Sequence, residues 1–329
     1  MTRLLSLLAA TLVFALSTAA FAGLPTAPGS FSHIYTFGDS LSDVGNAILP
    51  HTSNLCDVTT IPVTNLVGSD DYPGGKLWIN VLAEHYGFGP DSPEQRGVFH
   101  GGTNYAISGA MVSNLLGDRG QVHFYLAMHG NKADPKALYV FWIGSNDIIE
   151  RIFLDREAPG TVVADSILEM RAALIKLYHA GARHFLILGL PDISYTPLAT
   201  NSNPEQLGLP LGSPTLTPVN SLVKEACLTW NKALTESPLG LKSLAAQHPN
   251  AHYYFVDIAT LLSSLGHLKE DNPYNLPVTI NGAPNVTQVW CHNPSMNPDD
   301  FVFFNDIHPT THAHKLVALR VLSHAVEVK

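Results

Sequence analysis

A seven-residue apolar run at residues 137–143 (ALYVFWI) constrains the fold more than any other stretch of the chain. Its length suits a strand and is too short for a typical helix. Because the run contains no charged residue, both faces of the strand are expected to be buried, as in the middle of a parallel sheet. The sequence predicts four further strands, at residues 32–37, 103–107, 183–188 and 251–256.

Segments with helical spacing of apolar residues lie between and after these strands. The predicted helices cover residues 76–86, 121–129, 161–180, 219–247, with a break at Ser237 and Pro238, and 310–328. Strands that alternate with helices predict a parallel sheet covered on both faces. We expect one domain over residues 23–329, with irregular insertions near residues 50–75, 193–218 and 271–300.

The first 22 residues have the pattern of a secretory signal peptide. Arg3 supplies a positive start, residues 4–16 are apolar, and Ala20-Phe21-Ala22 provides small residues around a cleavage site. The apolar segment is too short to span a bilayer, and no later run has the length of a membrane helix. The sequence therefore predicts a protein that is secreted or periplasmic after cleavage near Ala22.

The net charge limits the kinds of partner that this protein is expected to bind, and the cysteine count predicts the redox state of its thiols. The formal net charge of −9 argues against a nucleic-acid partner and against binding to anionic membranes by charge alone. Three cysteines in an exported chain predict one disulfide and one free thiol. Cys227 and Cys291 are the expected pair, because both lie in the C-terminal third beside a tryptophan, and this leaves Cys56 unpaired.

Four short polar blocks follow strands or precede the last helix. In open α/β sheets ligands bind at the carboxyl ends of the strands, so these blocks are candidates for one site. A serine there becomes a nucleophile only with a base in contact and with donors aimed at the oxyanion. The blocks are Gly38-Asp39-Ser40, Ser108-Gly109-Ala110, Gly144-Ser145-Asn146 and Asn305-Asp306-Ile307-His308.

Taken in order, the four blocks resemble those of the SGNH, or GDSL, hydrolase family, and the resemblance spans nearly the whole mature chain. The sequences NYAISGA, GLPD and HPTTHAH add secondary matches. The resemblance implies a flavodoxin-like three-layer α/β/α fold with a five-stranded parallel sheet. It also implies that Ser40 is the nucleophile and His308 the general base. The oxyanion hole would then comprise the backbone N–H groups of Ser40 and Gly109 and the side-chain amide of Asn146.

The chain departs from the family pattern at the acid that orients the histidine. The family places that acid three residues before the histidine, where this chain has Asn305. Asp306, two residues before His308, is the acid that we favour. An asparagine oxygen could also accept the imidazole N–H, but it would stabilise the imidazolium less. Asn305 and a carboxylate elsewhere in the chain both stay open as alternatives.

Other chemistries have weaker support in the sequence. His308, His312 and His314 could be taken for metal ligands, but helix-face histidines are the better interpretation, since no cysteine cluster or second carboxylate has ligand spacing. The chain has no G-x-S-x-G elbow, no G-x-G-x-x-G and no Walker loop. We therefore expect neither a metal nor a cofactor.

The resemblance is closest to secreted bacterial lysophospholipases and glycerophospholipid–cholesterol acyltransferases. It implies a phospholipid or lysophospholipid ester as the substrate and acyl transfer as a further activity. The expected disulfide would tether the second irregular segment near the site, where it could act as a lid or as the target of an activating protease. The apolar, proline-rich residues 193–218 and 271–300 could form the wall of an acyl groove or could merely cover the edges of the sheet. Two alternatives remain from other classes: a carbohydrate O-acetyl esterase, and a non-catalytic lipid- or carbohydrate-binding protein.

Overall fold

The structure, a computed structural model, describes residues 23–47, 76–196, 199, 217–261, 279–280, 283–284, 302–303 and 307–329. The strands are β1 Ile34–Gly38, β2 Leu138–Trp142, β3 His184–Leu188, β4 His252–Val256, β5 Thr279–Ile280, β6 Ala283–Pro284 and β7 Val326–Val328. The α-helices are α1 Trp78–His85, α2 Gln121–Met128, α3 Pro159–Ala180, α4 Thr217–Glu236, α5 Leu241–Gln247 and α6 Thr311–His324. A π-helix, Asp147–Leu154, follows β2, and short 3₁₀ turns cover Pro93–Gln95, Val98–His100, Val112–Leu115 and Ile193–Tyr195.

The main sheet has five strands in the order β1-β2-β3-β4-β7. The first four are parallel, and the register pairs Gly38 with Trp142 at the carboxyl ends of β1 and β2. Strand β7 pairs with β4 in the antiparallel direction. The predicted five-stranded α/β fold is thus confirmed, and its fifth strand is an antiparallel edge.

Helices cover both faces of this sheet, because alternate side chains of each strand point to opposite faces. On one face, Phe37, Phe141 and Phe185 pack in a core that includes buried side chains of α2 to α5. On the other, Val140 and Trp142 pack with buried residues of α1 and α6. The result is the three-layer arrangement that the resemblance implies.

Residues 103–107 accompany β1 without forming a regular strand, and the strand prediction there is corrected. Tyr105 N donates to Thr36 O at 2.7 Å and Ile107 N donates to Gly38 O at 3.1 Å. On the other side, the carbonyls of Asn104 and Ala106 accept from the side-chain amide of Asn46, which takes the place of a neighbouring strand. With this segment beside β1, the order along the sheet is flavodoxin-like.

The predicted closing helix over residues 310–328 is too long. Helix α6 ends at His324, and Val326–Val328 is a strand. Strand β4 offers an unpaired edge, and two β-branched valines favour an extended chain there. Glu327 adds a contact to β4, since its Oε1 lies 2.7 Å from His252 Nδ1.

The predicted disulfide between Cys227 and Cys291 is wrong, because Cys227 is a free thiol in the structure. Cys227 is fully buried on α4 in the core against the sheet, where it packs as a small apolar side chain. This burial raises the pKa of its thiol to about 12. Cys56 and Cys291 lie outside the described residues.

Of the remaining predictions, some are confirmed and others fall outside the described residues. The break between two helices at Ser237 and Pro238 is confirmed, whereas the π-helix Asp147–Leu154 was not predicted. The signal peptide and most of the three insertions lie outside the described residues. Among the residues that the structure does describe, no helix is both long and apolar enough to cross a membrane.

Candidate active site

Ser40 and His308 meet at the carboxyl edge of the sheet, although 268 residues separate them in the chain. Ser40 Oγ lies 2.8 Å from His308 Nε2, so the hydroxyl can donate its proton to a neutral imidazole. Ser40 lies two residues after the end of β1 and is partly exposed. The two residues that sequence analysis assigns as nucleophile and base are therefore in hydrogen-bond contact.

Backbone contacts join the residues that precede His308 to those that follow it. Phe303 forms an antiparallel bridge with Pro309, and Thr310 N donates to Val302 O at 2.8 Å. The Thr310 side chain then caps α6 by accepting from Ala313 N. These contacts fix His308 at the entry to the helix. Asn305 and Asp306 lie outside the described residues, so the identity of the third triad member stays a prediction.

The turn that presents Ser40 is built from its own backbone and from Asp39. Asp39 Oδ1 accepts from Leu41 N at 3.0 Å, and Asp39 O accepts from Ser42 N at 3.1 Å. Trp78 Nε1 on α1 donates to Ser42 Oγ at 3.1 Å. The chain must also approach β2 closely, because a Cβ on Gly38 would lie 2.5 Å from the Trp142 carbonyl oxygen.

Gln121, the first residue of α2, holds the end of β1 with both atoms of its amide. Gly38 N donates to Gln121 Oε1 at 2.8 Å, and Gln121 Nε2 donates to Gly38 O at 2.7 Å. The side chain thus satisfies both backbone groups of the residue two positions before Ser40. No sequence motif marks Gln121, and sequence analysis did not identify it.

Asp43 links the Ser40 turn to the second block. Its carboxylate accepts from the backbone N–H groups of Gly45, Asn46 and Ala47, and from Ser108 N at 2.8 Å. Asn104 adds a second link, because its Nδ2 donates to Ser42 O at 2.7 Å. Asp43 lies three residues after Ser40, and Asn104 lies within the sequence NYAISGA, but the roles of both residues depend on contacts between the two segments.

A hydrogen bond to Ala110, the residue after Gly109, holds the Asn146 side chain near Gly109. Asn146 Nδ2 donates to Ala110 O at 2.9 Å, which leaves its second amide proton for another acceptor. Gly109 has a positive φ of 79°, the left-handed region that favours glycine, and a Cβ there would meet no atom within 4 Å. Backbone conformation therefore favours glycine here, and the residue is exposed.

Asp147 anchors the loop that follows Gly109. Its carboxylate accepts from Val112 N and from Ser166 Oγ, both at 2.9 Å. Burial is the largest effect on this carboxyl and raises its pKa. Asp147 thus ties the π-helix, the 3₁₀ turn Val112–Leu115 and α3 together beside Asn146.

A cleft of about 650 Å³ opens beside Gly109, between this loop, the π-helix and the start of α3. Arg151 is the only cation that lines it in the described part of the chain, and Glu157 and Asp165 already pair with its guanidinium. The cleft is also lined by six carboxyl groups: Asp147, Glu150, Asp155, Glu157, Asp165 and Glu169. Its net charge is therefore negative, which disfavours an anionic group close to Gly109.

The other histidines of the last block do not form a ligand cluster. His314 is fully buried on α6, and desolvation lowers its pKa to about 3. Across the described ranges no group of three or more His, Cys, Asp or Glu side chains is arranged to hold a metal ion.

Comparison with known proteins adds an independent finding. The profile of the GDSL-like Lipase/Acylhydrolase family matches residues 34–321. Lipase 1 of Photorhabdus luminescens is 30% identical over 172 residues, which cover 51% of this chain and 23% of Lipase 1. A GDSL esterase/lipase of Arabidopsis thaliana is 26% identical over 326 residues, which cover 86% of this chain and 84% of the plant protein. A solved structure, a lipolytic G-D-S-L family member from Veillonella parvula, aligns with a TM-score of 0.39 and 16% identity over 89% of this chain and 97% of that one.

The match thus spans less than a quarter of Lipase 1 but most of the plant protein. The family profile runs from β1 into α6 and includes all four polar blocks. With Ser40 and His308 in contact at the carboxyl edge of the sheet, the chain belongs to the GDSL-like lipase/acylhydrolase family and is a carboxylic ester hydrolase.

Proposed function

We propose that this protein hydrolyses lipid esters, as a phospholipase A or lysophospholipase, through an acyl-enzyme on Ser40. The observation that carries the proposal is the 2.8 Å separation of Ser40 Oγ and His308 Nε2. A serine hydroxyl is a weak nucleophile at its own pKa, and a base in contact removes its proton as it attacks. Membership of the family supplies the reaction class.

In the first half-reaction His308 Nε2 takes the Ser40 proton while Oγ attacks the ester carbonyl carbon. The carbonyl oxygen becomes an oxyanion, which accepts from the N–H groups of Ser40 and Gly109 and from Asn146 Nδ2. One such donor contributes about 3–4 kcal/mol to stabilising the transition state. The intermediate collapses as the imidazolium gives its proton to the departing alcohol, which leaves an acyl group on Ser40.

In the second half-reaction His308 removes a proton from water, which attacks the acyl carbon. As the second tetrahedral intermediate collapses, its bond to Ser40 Oγ breaks, the His308 imidazolium returns the proton to Oγ, and the carboxylic acid is released. If an alcohol takes the place of water, the product is a new ester, and this is the acyl-transfer activity that we include in the proposal. Asp306 is the proposed partner that orients His308 and stabilises the imidazolium.

The lipid assignment rests on the resemblance and on the names of relatives such as Lipase 1. The acidic cleft beside Gly109 favours a neutral or zwitterionic ester over an anionic one. The alternative is a carbohydrate O-acetyl esterase, and the polar lining of the same cleft is the observation that keeps it open.

Ser40→Ala tests the nucleophile, since a smaller side chain at the end of β1 leaves no hydroxyl to acylate. We expect at least about a 10³-fold loss of kcat on a p-nitrophenyl acyl ester. A fluorophosphonate probe should label the wild-type protein and not the variant. Wild-type turnover in a folded Ser40→Ala protein would exclude the proposed acyl-enzyme.

A series of p-nitrophenyl esters from C2 to C16, followed by lysophosphatidylcholine, separates the two substrate classes. A lipid hydrolase should show kcat/KM that rises with chain length and should release fatty acid from the lysolipid. A maximum at C2, with deacetylation of acetylated xylan and no activity on the lysolipid, would favour the carbohydrate esterase.

The proposal also includes secretion after cleavage of the signal peptide and activation by a protease. We infer cleavage near Ala22 from the composition of the first 22 residues. N-terminal sequencing of the exported protein should begin near residue 23. Limited proteolysis followed by an esterase assay tests for an activating protease, and unchanged activity after every nick would remove this partner.

A further inference from the structure

Asp39, which precedes Ser40, carries a carboxyl group that the proposed mechanism does not use. Its Oδ1 accepts from Leu41 N at 3.0 Å, and this bond closes the turn that presents Ser40. The turn therefore needs a hydrogen-bond acceptor at this position but does not need a negative charge.

The second carboxyl oxygen is buried without compensation. Asp39 is 1% exposed, and its Oδ2 has no hydrogen-bond partner among the described residues. An ionised carboxylate in such a position is costly, because water has been removed and nothing replaces it.

The charged groups around Asp39 do not offset this cost. In the described part of the chain, the charged groups that act on it are Asp147 on the π-helix and Asp43 in the following turn, and both oppose ionisation. Gln121, which holds the neighbouring Gly38, is neutral, and the ring of His308 faces Ser40. Desolvation first, and then these acids, raise the pKa of Asp39 to about 7, against the opposing bond from Leu41 N.

The position matters because the peptide bond between Asp39 and Ser40 supplies one of the proposed oxyanion donors. A fixed negative charge beside that donor would raise the energy of the oxyanion, whereas an uncharged acid would not. We propose that Asp39 is a positioning residue that acts as an uncharged acid, shaping the turn under Ser40 while keeping negative charge away from the oxyanion. This inference rests on the proposed function of Ser40.

Asp39→Asn is the decisive variant, since it keeps the acceptor and removes the ionisation. His308 is common to both proteins, so the ratio of wild-type kcat to that of the Asn variant isolates the charge on Asp39. We expect the two kcat values to agree within about twofold near pH 6, and this ratio to fall by about tenfold or more from pH 6 to pH 9, the size of effect that one nearby charge produces. Asp257→Asn is the matched control, because Asp257 also follows a strand and its Oδ1 accepts from the N–H two residues on, that of Ala259. It should keep the wild-type profile.

Unfolding by urea at several pH values tests the protonation without any catalysis. An Asp whose folded pKa is raised stabilises the fold below its unfolded pKa, near 4, and loses that contribution as the pH rises towards 7. Relative to Asp39→Asn, the wild-type midpoint should therefore decrease between pH 4 and pH 8. This measurement holds whether or not Ser40 is the nucleophile, so the two proposals can fail separately.

Three results would overturn the inference. One is a folded Asp39→Asn protein that is inactive at pH 6. Another is a variant whose activity falls above pH 7 as the wild type does, and the third is a midpoint difference that does not change with pH. If the Asn variant does not fold, Asp39→Ser takes its place, because a serine hydroxyl can close the same kind of turn.

Discussion

At the scale of single residues, the edge around Ser40 is held by side chains that bond to backbone groups. Asp43 accepts from four N–H groups, and Asn46 and Asn104 donate to carbonyls of neighbouring segments. Such bonds fix loop geometry with little dependence on the motion of other side chains. Ser40 and His308 are among the described residues, whereas Asp306, the proposed acid of the triad, lies outside them.

The acid is best tested with two substitutions. If Asp306 orients His308, Asp306→Asn should lower kcat by roughly 10³–10⁴-fold, because the imidazolium loses its charged partner, and Asn305→Asp should change little. If Asn305 orients it instead, Asp306→Asn should be mild and Asn305→Asp should raise kcat.

Steady-state kinetics of both variants on one ester, with circular dichroism to confirm folding, separates the two cases. Unchanged turnover in both variants would contradict each assignment. A dyad of Ser40 and His308, or an acid elsewhere in the chain, would then explain the activity.

At the scale of elements, the ends of two strands are held by side-chain amides from neighbouring helices. Gln121 on α2 bonds both backbone groups of Gly38, the last residue of β1. Asn231 on α4 does the same for Leu190 after β3, accepting from its N–H at 2.6 Å and donating to its carbonyl at 2.9 Å. Each amide replaces the partners that a further strand would supply, so the strand can end and turn towards the site.

Gln121→Ala should lower both stability and activity. The N–H of Gly38 loses its hydrogen-bond partner, whereas its carbonyl keeps the bond from Ile107 N, so the free energy of unfolding should fall by about 1–3 kcal/mol. The Ser40 turn follows directly, and we expect kcat to fall at least about tenfold.

Asn231→Ala is the matched control for this prediction. It removes an equivalent pair of bonds from β3 and should cost comparable stability, whereas kcat should stay within about twofold. Urea unfolding and ester kinetics measure the two effects. Equal losses of kcat in both variants would show that general destabilisation, and not the position of the Ser40 turn, limits activity.

At the scale of the whole molecule, two apolar layers enclose the sheet, and one of them contains an uncharged histidine. His314 on α6 is fully buried, its Nδ1 has no partner within the described ranges, and its pKa is lowered to about 3. The folded protein therefore keeps this imidazole neutral at pH values where the unfolded chain would protonate it. Stability from this source is complete above about pH 6.5 and is lost as the pH falls towards 3.

His314→Leu should make stability less sensitive to acid. We expect the wild type to lose about 3 kcal/mol of unfolding free energy through this group between pH 7 and pH 4, and the variant to lose correspondingly less. Urea unfolding at the two pH values measures the difference. His123→Gln, an exposed change on α2, should follow the wild type, and a His314→Leu protein that is as acid-sensitive as the wild type would contradict the prediction.

Much of this architecture was predictable from local sequence pattern. The apolar run at residues 137–143 predicted β2, and the alternation of strand and helix periods predicted the layered α/β fold. The polar blocks predicted Ser40 and His308, which lie in contact, whereas the proposed roles of Gly109 and Asn146 stay predictions. These signals are readable because strand and helix periodicity depends on residues close together in the chain. The same local patterns predicted that the last helix continues through Val326–Val328, because no residue close by in the sequence indicates that β4 has a free edge.

Only the tertiary structure decided the contacts that join distant segments. It brought Ser40 within hydrogen-bond distance of a histidine 268 residues away, placed Gln121 against Gly38, and buried Cys227 where a disulfide was expected. The composition and spacing of residues set which groups are available. Which of them meet depends on strand order, on unpaired edges and on how two cores pack, and these are properties of the whole chain.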